Sequence, residues 1–300
     1  MYDEFWHWVD KNYIYFDAKN VDWKAVYQKI APTLSDATTE DELVDAMEQS
    51  ILALKDAHSG ISKPGKTGST FDYKAGYEIH FDFKIIKKNY IIDTLCKTKI
   101  LFSGILQNNI GYIRLASFTI TPEFTQALRD MKARQVSKII IDVRSNGGGD
   151  SNPVPALLSQ FVSERLPIGA YLEKTGPKHD DVTKPIWIYT EPKTKSDWNI
   201  PIVVLINRVS YSATSYFAAM VKGLPNMKVL GQTTGGGAGG HLGYQLSNEW
   251  LIRVSVSDFI GKDKKSIEIG VEPDIYIENT KEDIQNGRDK MLEAAMEVSF

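Results

Sequence analysis

Cysteine is almost absent from this 300-residue chain: Cys96 stands alone. That excludes an internal disulfide and a cysteine-based metal cluster. Cys96 lies in the alternating segment YIIDTLCK and reads as a buried structural thiol. Histidine is scarce as well, with five residues, and no HExxH or comparable ligand spacing occurs, so no metal is expected. Long apolar runs are missing. Apolar segments such as Ile202–Ile206 and Lys138–Val143 fall far short of the roughly 20 residues a membrane helix needs, so no membrane span is expected. Basic excess is missing too: 35 Lys and Arg against 38 Asp and Glu leave a net charge of −3. Nucleic acid is thereby disfavoured as a partner, because phosphate binding draws on a positive surplus. The opening MYDEFWHWVD is polar and acidic and lacks the order of a signal peptide. Internal repeats and low-complexity tracts are absent.

What remains is a globular composition, 42% apolar and 24% charged, long enough for a large domain plus a small one. Residues 3–60 carry three helical patterns. EFWHWVDKNYIYF is the first, DWKAVYQKIAPTL the second with Asp22 as N-cap, and TTEDELVDAMEQSILAL the third. Thr39 and Glu42 have capping-box spacing there, and Gly60 is placed to stop the helix, with His58 at its end. SKPGKTGST, residues 62–70, reads as a linker. Residues 71–106 read as short strands in YEIHFDFKII, NYIIDTLC and KILFSGIL. From Gly111 onward, strands and helices alternate: strands at 111–115, 138–143, 185–189, 202–206 and 227–230, helices at 122–134, 153–162 and 213–222. DKMLEAAMEVSF closes the chain as a helix. Such alternation implies an α/β class. The polar stretch 171–199 is read as a loop that shapes a cleft.

Two segments carry the chemistry. In IIIDVRSNGGGD, a buried-type strand runs into Asn146-Gly147-Gly148-Gly149, where backbone amides can approach a ligand closely. In PIVVLINRVSYSATSYFAAM, a strand leads to Ser212 at the start of an apolar helix. A serine there is usually only a cap, and Ser210, Thr214 and Ser215 compete with it on spacing alone. Strand, hydroxyl and glycine turn are nonetheless the parts of a serine nucleophile with an oxyanion hole. The first glycine run fits neither a phosphate loop nor a dinucleotide fold. The second, Gly235 to Gly240, reads as a mobile loop near the same site. Asp142 and Arg144 read as structural, tying the glycine turn in place. Base candidates are His58, in LKDAHSG, and His241, after the second glycine run. His7, His80 and His179 read as surface or half-buried residues.

Five motifs in order carry a resemblance: LKDAHSG, DVRSNGGGD, VVLINRVSYSATSYFAA, VLGQTTGGG and IGVEPDI with GRDKMLEAAM. Together they resemble the S41 peptidases, the family of C-terminal processing and tricorn-like proteases. The opening FWHWVDKNYIYF resembles the N-terminal helical segment of bacterial members. The resemblance implies a crotonase-like ββα core at residues 109–300, a small N-terminal helical domain at 1–68 and a small β segment or linker at 69–108. The PDZ domain usual in the family is missing or reduced to that segment. Ser212 matches the nucleophile, and the amides of Ala213 and of Gly147 or Gly148 match the oxyanion hole. Tail-processing members carry a base lysine about 25 residues after the serine; Gly237 stands there, so a Ser–Lys dyad is excluded. His58 matches the base of the tricorn-like branch, and Glu268 its orienting carboxylate, with Glu272 in reserve. That branch has a serine before its histidine; here Ala57 precedes and Ser59 follows, so Ser59 is a second reserve.

The resemblance implies a serine peptidase acting on peptides or proteins without a cofactor. Export as a mature or trimmed form is expected from the N-terminal segment, with the cytoplasm as the alternative. Assembly into a homo-oligomer stays open. The alternative functions are a non-catalytic peptide-binding module on the same fold and a crotonase-type acyl-CoA enzyme.

Overall fold

The runs KIIID and IVVLI are apolar at nearly every position, which suits strands covered on both faces. In the computed structural model, which describes residues 1–192 and 198–300, both are fully buried strands, Lys138–Asp142 and Ile202–Ile206. They pair in parallel, Ile139 opposite Ile202 and Ile141 opposite Val204. Around them a seven-stranded sheet runs in the order Ile275–Tyr276, Met227–Gly231, Ile202–Ile206, Lys138–Asp142, Ile110–Leu115, Leu101–Leu106, Asp93–Lys97. The first five strands pair in parallel and the last two antiparallel. The expected α/β class is what forms. Parallel strands end together, so the residues after Asp142, Ile206 and Gly231 emerge at one edge of the sheet, where ligand sites of α/β folds gather.

The chain divides into two compact units. The smaller contains Met1–Ala75, Tyr171–Ile186 and Gly237–Phe259; the larger contains Gly76–Ala170, Trp187–Gly236 and Ile260–Phe300. In the larger unit, helices Phe83–Asn89 and Lys290–Glu297 help cover the sheet, and Ile86, Phe102, Tyr112, Val203, Leu205 and Leu292 share one core. The helix Ala213–Val221 is buried along its whole length, its apolar residues packed all round and Ser215 satisfied by Thr234 and the Gly236 carbonyl. Lys138 caps the closing helix: its ammonium donates to the carbonyls of Ala295, Met296 and Val298 at 3.1, 2.8 and 2.8 Å. No described helix is long and apolar enough to cross a membrane.

The smaller unit packs helices Tyr2–Asn12, Trp23–Ile30 and Glu40–Ala53 with an antiparallel sheet. Its strand order is His241–Gln245, Leu251–Ser255, Gly60–Lys63, Lys66–Thr67. Asp22 caps the second helix, and Thr39 with Glu42 forms the expected capping box.

Several local expectations are corrected. The third helix stops at Ala53, and Lys55, at φ 52°, makes the left-handed turn expected of Gly60. His58 therefore lies beyond the helix, and Gly60 opens a strand. The 62–70 linker contains a hairpin, Lys63 pairing with Lys66. Part of YEIHFDFKII is a helix, Phe83–Asn89, because Asp82 accepts from the Lys84 amide and Ile86 enters the core. The helix expected at 153–162 is shorter, Val154–Leu158. The 171–199 stretch includes the end of strand Pro167–Glu173 and the strand Ile186–Tyr189; its residues 193–197 lie outside the described residues.

One buried charge cluster ties the larger unit together. Arg144, fully buried, donates from Nε and Nη2 to Asp142 at 3.0 and 2.6 Å and from Nη1 to Asp289 at 2.8 Å. Asp142 also accepts from the Tyr112 hydroxyl at 2.8 Å. Asp289 caps the closing helix through the Leu292 amide. Burial alone would raise the Asp289 pKa, but Arg144 outweighs it and the value is lowered. Removing the guanidinium leaves two carboxylates buried without a counter-charge. Arg144→Met is expected to lose about 3–5 kcal/mol of stability in urea titration. A loss within the error of such titrations would show that the cluster is not a structural tie.

Candidate active site

After Ile206 the backbone leaves the sheet through a turn held by its own side chains. The Asn207 amide donates to Ser210 Oγ at 3.1 Å, and the Val209 amide to Asn207 Oδ1 at 3.2 Å. The Tyr211 amide then reaches the Asn146 carbonyl at 3.1 Å, and the Ser212 amide the Gly236 carbonyl at 2.8 Å. Held from both sides, Ser212 adopts φ 55° and ψ −125°. An L-residue there is strained by about 1–3 kcal/mol, and such strain gathers at functional sites. The same sharp strand-to-helix turn presents the serine in nucleophile elbows.

The geometry separates Ser212 from its competitors. It occupies the N-cap position of helix Ala213–Val221, yet its hydroxyl makes no capping hydrogen bond. Ser210 is fully buried and donates to the Val143 carbonyl at 2.8 Å. Ser215 is fully buried and bound to Thr234 and the Gly236 carbonyl. Thr214 is fully buried. Ser212 is half-buried.

The glycine turn lies directly against this serine. Gly148 has φ 112°, and a Cβ placed on it would come within 2.8 Å of Ser212 Cβ. Its amide donates to Asn146 Oδ1 at 2.9 Å, while Asn146 Nδ2 donates to the Leu115 carbonyl at 3.1 Å. Gly147 has open space where a side chain would stand. Ala213, the first helical residue, is buried next to the serine. The second glycine run begins as packed structure and not as a mobile loop. The Gly235 amide donates to the Ser210 carbonyl at 2.7 Å, and a side chain on Gly236 would run into the Glu268 carbonyl. Glu268 is 5% exposed, with its amide on Ser266 Oγ at 3.1 Å. Glu272 is exposed, and its carbonyl accepts from Lys222.

His58 and Ser59 belong to the smaller unit. There the pattern Asp-Ala-His-Ser folds into an Asx turn around Asp56, a residue that sequence reasoning passed over. The His58 amide donates to Asp56 Oδ1 at 2.8 Å, and Ser59 Oγ and Ser255 Oγ donate to Oδ2 at 2.7 and 2.8 Å. Ser59 is thus fully buried and committed to Asp56. The His58 ring donates to the Gly239 carbonyl and lies 5.9 Å from the His241 ring. Burial is the main force lowering its pKa; Asp56 and the Gly239 hydrogen bond oppose it, and the charges of His241 and Arg253 add to it. Burial, then Arg253, lowers His241 as well, against Asp56.

Residues 109–277 match the family model of Peptidase family S41. That is more than half of the chain, and it spans the glycine turn, Ser212 and Glu268. The chain belongs to peptidase family S41. Residues 1–51 match the Tricorn protease C1 domain, so His58 lies outside both matched segments of this S41 member. A crystal structure of a Parabacteroides merdae protein described as a presumptive peptidase is 31% identical, with a TM-score of 0.87 over 98% of this chain and 94% of that one. The carboxy-terminal processing protease CtpB of Bacillus subtilis is 25% identical over 65% of this chain. The chloroplastic C-terminal processing peptidase of Tetradesmus obliquus is 26% identical over 58%. The chain spans 39% and 36% of the length of these two relatives.

Two outcomes follow from the geometry. Glycine tolerates the Ser212 backbone, so Ser212→Gly should be more stable than Ser212→Ala by about 1 kcal/mol in thermal unfolding; equal stabilities would remove the strain argument. The lowered pKa keeps His58 neutral below the ordinary histidine value near 6.5. Protons are then taken up preferentially by the unfolded chain, so this residue's contribution to stability is complete above about 6.5 and falls as pH drops toward the folded midpoint. An NMR titration midpoint for His58 at or above 6.5 contradicts this.

Proposed function

We propose that this S41 chain is a serine peptidase working through an acyl-enzyme. The observation that carries the reading is the Ser212 backbone at φ 55° and ψ −125°, strained yet with its hydroxyl unused as a cap. Ser212 Oγ attacks the scissile carbonyl carbon while His58 takes the hydroxyl proton. The Ala213 amide, with that of Gly147 or Gly148, stabilises the oxyanion, aided by the N-terminus of a helix. Collapse breaks the C–N bond, and His58 returns the proton to the leaving amine. Water, deprotonated by His58, then hydrolyses the ester and frees Ser212.

A neutral imidazole carries one N–H. Its donation to the Gly239 carbonyl fixes the tautomer and leaves the other nitrogen basic. Glu268 is proposed as a second positioning residue, with exposed Glu272 less suited. Peptides or proteins are the substrates. Export is part of the proposal, supported by the resemblance of the N-terminal segment to exported bacterial members; cell fractionation checks it.

The test is labelling with a fluorophosphonate. The wild-type chain should label, and Ser212→Ala should abolish the signal. His58→Ala should reduce the labelling rate by about 100-fold or more, and Glu268→Gln by less, because the Gly239 carbonyl remains. Undiminished labelling of Ser212→Ala places the nucleophile elsewhere. A folded wild type that never labels, and cleaves no peptide, overturns the peptidase reading.

A further inference from the structure

The sheet of the smaller unit has two unlike faces. Strand residues alternate between them. Ile61, Ile252 and Val254, at 3%, 1% and 0% exposure, occupy the buried face, while Leu251 on the other is 53% exposed. On that open face Arg253 pairs across strands with Gly243 on one side and Gly60 on the other. The next row is Gln245, Leu251, Ser62 and Thr67. A hollow of about 330 Å³ lies over these rows, with Arg253, Leu251 and His241 in its lining.

Nothing in the backbone demands glycine at the two flanking positions. Neither has a positive φ. A Cβ on Gly243 would meet only the Ile252 carbonyl, at 3.8 Å, and one on Gly60 would find Thr70 at 3.6 Å and Arg253 Nε at 4.0 Å. Glycine inside a strand weakens it and marks places where a ligand or another backbone approaches. Here the missing side chains are what open the hollow around Arg253.

The chemistry of the hollow is that of an anion site with apolar walls. Arg253 is exposed and, among the described residues, forms no ion pair. Asp56, a buried carboxylate of this unit, already accepts three hydrogen bonds. The Arg253 charge is close enough to act on both His58 and His241. A planar guanidinium holds a carboxylate through two parallel hydrogen bonds. We propose that this hollow is a substrate subsite in which Arg253 pairs with a carboxylate of the bound peptide. The assignment rests on the peptidase reading for calling that peptide a substrate. The carboxylate is either the peptide's C-terminus or an Asp or Glu side chain.

Binding to the full Ser212→Ala chain tests this without cleavage. Three forms of one fluorescently labelled decapeptide serve: Asn-containing with a free C-terminus, the same with Asp at alternate positions and an amidated end, and the Asn form amidated. In anisotropy titrations one carboxylate form should bind roughly tenfold more tightly than the neutral amide, as a charge-assisted hydrogen bond implies. The form that gains identifies the carboxylate as terminal or side-chain. Arg253→Met should erase the preference, and Gly243→Val, which fills the hollow, should weaken all binding. A preference unchanged in Arg253→Met, no preference, or no binding overturns the subsite. Fluorophosphonate labelling needs no subsite and reads separately. Labelling without carboxylate preference removes the subsite alone; preference with neither labelling nor peptide cleavage by the wild type leaves a binding site and removes the peptidase reading.

Discussion

A guanidinium with no access to water fixes the frame on which the candidate nucleophile stands. Arg144 follows the strand Lys138–Asp142 and precedes the glycine turn, so whatever holds it also positions Gly147 and Gly148. Asp142 and Asp289 hold it from the strand end and from the cap of the closing helix. The Phe81 ring lies 4.6 Å from its guanidinium carbon. Taking these charges out of water is costly, and the arrangement persists because each donor and nearly every acceptor finds a partner. The gain is directional: a planar cation with two fixed carboxylates admits little rotation.

That rigidity explains how Ser212 can keep a backbone conformation it does not favour. Its turn is pinned by the Asn146 carbonyl on one side and the Gly236 carbonyl on the other. Gly148 must be small for the serine to sit where it does, and Gly236 must be small for the Glu268 carbonyl to pack. The two glycine runs are thus spacers with opposite neighbours.

Much of this was legible because the informative residues are contiguous. Buried parallel strands read as unbroken aliphatic runs, and the turns that follow them carry the glycines and Ser212. Ser212 could not be told from Ser210 and Ser215 by spacing, since only backbone angles and burial separate them. Asp289 lies 145 residues from Arg144, and nothing local announces the pairing. The strand His241–Gln245 is exposed along its whole length and so lacks the alternation that reveals strands. Phe83–Asn89 misled for the reverse reason: apolar residues alternate from Tyr77 to Ile85 across its start, but an Asp82 cap and one core contact at Ile86 decide for helix. Asp56 escaped notice because its work is done through hydrogen bonds to Ser59 and to distant Ser255.

The pairing of Gly60 with Arg253 has a consequence for synthesis. At about 5–20 residues per second, a ribosome needs roughly 10–40 s to travel from one to the other. Throughout that interval the N-terminal helices are complete, but the strand beside them has no central partner. Until Leu251–Ser255 emerges, the strand Gly60–Lys63 lacks that neighbour and the sheet stays incomplete. Closure of this sheet is therefore a late event in the order in which the fold is written.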